Sequence, residues 1–154
     1  MSLSTFTGDV IDASLHQLDV SRIKVVSGKQ HIVDFDLGEG LDLTYVFNVT
    51  NEDRFYLQRA EPYPVMHGRF ASQEEIIRFI AKDSQAFRNA RKSKNYQNFV
   101  ETARSVLSLT EDVERLFLNR NVSQEDLNLL HAESSKLKAL IREIEEHAPV
   151  IHND

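Results

Sequence analysis

The sequence predicts an α+β fold: an antiparallel β-meander of about four strands (residues 22–60) followed by three α-helices, the last two forming an antiparallel helical hairpin. Three observations predict it. Apolar and polar residues alternate between residues 22 and 60, a helix-capping signal stands at Ser72, and two long seams of three-four apolar spacing follow with only residues 119–122 between them. A single domain covers residues 1–154, with a sheet portion over about 1–70 and a helical portion over about 71–148.

Residues 9–20 place Ile11, Leu15 and Leu18 at helical spacing beside Asp9, Asp12 and Asp19, which suggests a short amphipathic helix ahead of the sheet. From Arg22 the period is two. Ile23 and Val25 lead to a turn at Gly28, and His31, Val33, Phe35 and Leu37 alternate with Asp34 and Asp36. After Gly38 and Gly40, the residues Leu41, Leu43, Tyr45, Phe47 and Val49 alternate with polar ones, and a polar turn at residues 50–53 leads to Phe55, Leu57 and Arg59. Turns this short join antiparallel neighbours, because a parallel pair needs a crossover of roughly a dozen residues. One face of the sheet is apolar, so another element has to cover it.

Pro62 and Pro64 interrupt regular structure after the meander. Ser72 followed by Glu75 reads as a capping box that opens a helix running to about Arg91, with Ile76, Ile77, Ile80, Ser84 and Phe87 on its inner face. Phe99, Ala103, Val106, Thr110, Val113 and Phe117 then mark the first long seam. Leu127, Leu130, Ser134, Leu137, Ile141 and Ile144 mark the second, which is capped by Ser123 and stopped by Pro149. The short link forces the two helices antiparallel.

The charge is uneven. The 154 residues carry a net charge of −6, distributed as −4 over residues 1–60, +3 over 61–100 and −5 over 101–154. An acidic chain of this kind disfavours general polyanion binding. The absence of Cys removes disulfides, thiol nucleophiles and Cys-based metal centres. The N-terminus has no secretory pattern and no window resembles a membrane span, so a cytoplasmic protein without a membrane partner is expected. Asn48 and Asn121 match the glycosylation acceptor pattern and, with no secretory route, read as chance matches.

Four sets of residues are candidates for function. His67 lies in the Pro-interrupted connector with Glu61 and Arg69 nearby, a set that could build an acid/base or anion-binding pocket between the sheet and the Ser72 helix. Arg78, Lys82, Arg88, Arg91 and Lys92 crowd the basic helix (residues 78–94), where they could grip phosphates, and Tyr63 joins them as a binding candidate. Asp34, Asp36, Glu39 and Asp42 surround a Gly-rich turn, but the ligand spacing of a calcium loop fails at Gly38, Glu39 and Tyr45. The six His residues form no HxH, HExxH or HxxxH pattern, so neither metal nor cofactor is expected.

The fourth set is the apolar surplus of the hairpin, Leu127, Leu130, Leu137, Leu140, Ile141 and Ile144, which points to an interface. No nucleophile elbow, phosphate loop or dinucleotide loop occurs. The expected function is therefore a small non-catalytic interaction or regulatory protein that pairs with itself as a homodimer, and with another protein, through the hairpin. Catalysis or small-molecule binding near His67 is the second reading, and nucleic-acid binding through the basic helix the third.

Overall fold

In the computed structural model, residues 10, 11, 13–18, 20–50 and 54–151 are described. The alternation becomes a four-stranded antiparallel sheet in sequence order: β1 (Gly28–Asp36), β2 (Asp42–Thr50), β3 (Phe55–Glu61) and β4 (Val65–Phe70). Three helices follow: α1 (Gln73–Arg91), α2 (Tyr96–Asn119) and α3 (Gln124–His147). Val10, Ile11 and residues 13–16 are also helical. Of the residues singled out in the sequence, Asp9, Asp12, Asp19, residues 51–53 and His152 lie outside the described set.

Register places Val33 opposite Tyr45 and Phe35 opposite Leu43, so one apolar face runs continuously from β1 into β2. Leu43, Tyr45, Phe55 and Leu57 on that face are 0–5% exposed, and Ile76 and Phe87 of α1 close over them. Ser72 caps α1 by accepting from the backbone N–H of Glu75 at 3.2 Å, while the Glu75 carboxylate reaches back to accept from the Ala71 N–H at 2.9 Å.

The meander sits one strand further along the chain than expected. Ile23 and Val25 precede the sheet without joining it, and the fourth strand is β4, which the two prolines had concealed. Pro62 and Pro64 occupy the β3–β4 turn, leaving every ladder donor of β4 free to pair. A bulge adds a second disguise. Leu57 faces Gly68 and Gln58 faces Met66, so His67 is the extra residue. Gly68 has φ +86° there. The inward positions therefore shift parity from Val65 to Phe70, which erases the period of two.

The hairpin adds little to this core. Only the start of α2 reaches the core, where Tyr96 and Val100 are 3% and 2% exposed. Phe99 packs edge-on to Tyr63 and Tyr96, with ring centroids 5.9 Å apart in each case. Arg104 fastens the helix by donating from Nε to the Pro62 carbonyl at 2.8 Å. Beyond it, no residue of α2 or α3 is buried.

Candidate functional site

Under α1 lies a polar cluster built by strand parity. Arg59 follows Phe55 and Leu57 on the inward face of β3 and is only 5% exposed. Its guanidinium lies 4.8 Å from the Tyr63 ring centroid and 4.5 Å from that of Phe87. Nη1 donates to Asp83 Oδ2 at 2.9 Å, and the Tyr45 hydroxyl donates to the same oxygen at 2.7 Å. A buried cation needs such a partner, because an unpaired one costs several kcal/mol to desolvate.

Burial first, then the hydrogen bond to Asp83, pushes the Tyr45 phenol far above its ordinary range, so Tyr45 stays a donor. His67 enters from the β4 bulge and packs on Phe79, with ring centroids 4.5 Å apart. Burial, and then the Arg59 cation, hold its imidazole below the usual value, against the pull of Asp83. Arg59 Nε and His67 Nε2 are buried without a hydrogen-bond partner.

The expected convergence of His67, Glu61 and Arg69 does not occur. Arg69 pairs across from Tyr56 on the outer face and lies 5.8 Å from its ring centroid, while His67 points toward α1. Glu61, at the end of β3, lies 3.4 Å from Arg104 in an exposed ion pair. The extra residue at the bulge is the physical reason, because it separates the directions of His67 and Arg69. The Arg59 and Asp83 pair was not singled out in the sequence. Its signal was an Arg at an inward strand position facing an Asp between Ile80 and Phe87 on a helix.

The basic residues of α1 do not form one stripe either. Arg78 and Lys82 flank a hollow beside Phe70 and Phe79, on the β4 side. Arg88 lies on the β1 side, 5.7 Å from the Phe35 ring centroid. Arg91 is paired with Glu39 and leans over Tyr96 at 5.8 Å, and Lys92 is the C-cap. Tyr63 is engaged with Arg59, Phe87 and Phe99.

The acidic turn is likewise divided among separate partners. Asp34 accepts from Thr44 at 2.7 Å, Asp36 from the Gly38 N–H at 2.7 Å, and Glu39 from Arg91. Among the described residues no group of three or more His or acidic side chains could hold a metal ion.

The surface that stands out is the hairpin. Val106, Leu109, Thr110 and Val113 of α2 face Leu130, Glu133, Ser134 and Leu137 of α3 across a groove of about 520 Å³. A groove lined by both helices fits a helical hairpin. The helices nevertheless leave one another wet. Leu130, Leu137, Leu140, Ile141 and Ile144 are 36–54% exposed, and Val106, Leu109, Val113, Leu116 and Phe117 are 39–57% exposed. Leu127 is half-buried. Glu133, on the groove wall, is occupied by Lys136 at 2.6 Å. Among the described residues no helix is long and apolar enough to cross a membrane.

Compared with known proteins, the chain matches no family model, no curated protein and no solved structure, which leaves its chemistry to be read from its own residues.

Proposed function

We propose that this protein is a non-catalytic interaction module that pairs with a second copy of itself through the C-terminal hairpin. The observation that carries this reading is the exposure of the hairpin: fourteen large apolar side chains of α2 and α3 each keep a third or more of their surface in water. At roughly 80 Å² apiece they hold on the order of 1,000 Å², against the ~800 Å² that each partner gives to a standard interface. Apolar surface of that extent marks an association site.

A second hairpin suits it because the same seams meet themselves across a two-fold axis, making a four-helix arrangement from two open pairs. Ser134, the polar interruption of the α3 seam, would hold the register at some cost in stability. The polar cluster enters this reading as a structural element, its Arg59 only 5% exposed and paired with Asp83.

Light scattering tests the proposal. A mass of twice 17.7 kDa at tens of micromolar is expected, falling to 17.7 kDa in Leu140→Asp, because Leu140 is an apolar side chain of α3 that is 50% exposed. A wild-type mass of 17.7 kDa at that concentration overturns it.

A further inference from the structure

The apolar face of the sheet is only partly roofed. Strands lie about 4.8 Å apart and packed helices roughly 8–10 Å apart, so a four-stranded sheet has room for about two helices on one face. Among the described residues, α1 is the helix that lies along it, over β2, β3 and β4. On the β1 side two adjoining cavities of about 340 and 490 Å³ share Phe47, Ile76 and Ile77 and form one trough. Its outer wall is the inward side of β1, including Val33 and Phe35, and its opposite wall is α1. A cation stands toward each end, Lys29 at one and Arg88 at the other.

The chain carries a segment of matching chemistry directly upstream of β1. Val10, Ile11, Leu15 and Leu18 fall on one side of a helical projection of residues 10–18, and Val10, Ile11 and Leu18 are 49%, 53% and 69% exposed. The sequence around them is acidic, with Asp9, Asp12 and Asp19, and carries no Lys or Arg. The eight residues 20–27 can span up to ~26–29 Å. The trough runs along β1 from Lys29 to Phe35, about 20 Å, and nine helical residues measure about 13 Å. Tether, length, apolar pattern and charge all agree.

We propose that the trough between α1 and β1 is the seat of the chain's own residues 10–18, which dock there as a second roofing helix. Val10, Ile11, Leu15 and Leu18 replace water over Val33, Phe35 and Phe47, and the negative charge of the segment's sequence complements the cations Lys29 and Arg88 of the trough. The docking is independent of the hairpin, because it uses none of its residues.

The lack of Cys in the chain makes the test clean. Ala13→Cys, on the side of the segment away from its apolar face, carries a nitroxide in the full-length protein with ¹³C-labelled Ile and Val methyls. Docking is expected to remove more than half the intensity of the Val33 and Ile77 signals relative to the reduced label. Leu15→Asp with Leu18→Asp should restore them. Intact signals in the parent, or broadening that persists in the double Asp variant, overturn the proposal. A sample with the nitroxide on one chain and the methyl labels on another separates the remaining case: broadening as strong there as within one chain means that the segment comes from a second copy, which also overturns it.

Discussion

The body of sheet and α1 and the C-terminal hairpin carry equally strong apolar patterns and meet opposite fates. Leu43, Tyr45 and Leu57 are fully buried, whereas Leu130 and Leu137, the best-covered large aliphatic side chains among those exposed on α3, are still 39% and 36% exposed. The difference teaches that a periodic stripe records a need for burial without naming the partner that meets it. In the body the partner is local in sequence. In the hairpin two stripes face each other and remain incompletely covered.

The comparison breaks most sharply at Asp83. Its loss in Asp83→Ala leaves the Arg59 guanidinium buried and uncompensated, with an expected cost of ~3–5 kcal/mol in urea-induced unfolding. Arg59→Met in the same chain should recover much of that loss, because the uncompensated charge is then gone. If both variants unfold at the wild-type midpoint, the cluster is not the polar centre of the body.

Next in size is the contrast of two leucines. Leu57→Ala is expected to cost ~2–5 kcal/mol, the transfer term plus the cavity it leaves. Leu140→Ala in dilute protein should stay within about 0.5 kcal/mol, as surface substitutions do. Equal losses would mean that hairpin and body unfold as one unit and that the contrast between them has no energetic content.

Much of this division was legible in the residues. Alternation at His31, Val33 and Phe35 and from Leu43 to Val49 predicted the paired strands, and the Ser72 cap and the two seams predicted all three long helices. The fourth strand was hidden because Pro62 and Pro64 mimic a connector and because the bulge at His67 and Gly68 shifts inward parity halfway along β4. Ile23 and Val25 alternate like a strand, but alternation alone does not supply a ladder partner. The site was harder to read. Arg59 and Asp83 are 24 residues apart and meet only when α1 lies across β3, while Glu61, His67 and Arg69 are close in sequence and are sent to separate surroundings. Nearness along the chain is a poor guide wherever a bulge and a turn reorient successive side chains.

A smaller effect sharpens the description of α1. Ser72→Ala removes the side-chain acceptor of the Glu75 N–H and is expected to cost about 1 kcal/mol in thermal or urea unfolding. Ser72→Asp should retain most of the stability, since a carboxylate also accepts that bond and favours the helix N-terminus. A null result for the Ala variant would show that Glu75, through Ala71, holds the helix start by itself.

The smallest expected effect is a pH dependence that belongs to the body and not to the hairpin. His67 is partly buried against Phe79, and its imidazole is held below the ordinary value of 6.5 by burial and then by Arg59, with Asp83 opposing. The sign follows from linkage. Above pH 6.5 the side chain is neutral in both folded and unfolded chains, and its neutral packing is fully retained. As the pH falls through 6.5 the unfolded chain takes up a proton that the folded chain resists, so stability declines from there down to the folded-state value. Because His67 is not fully enclosed, the loss should be modest. His67→Phe keeps a ring on Phe79 and removes the titration, so its unfolding midpoint should be flatter than that of wild type between about pH 7.5 and pH 5.5. Parallel curves for the two proteins would show that His67 is solvated enough to charge freely under α1, and the closed character assigned to the body would then fail at β4.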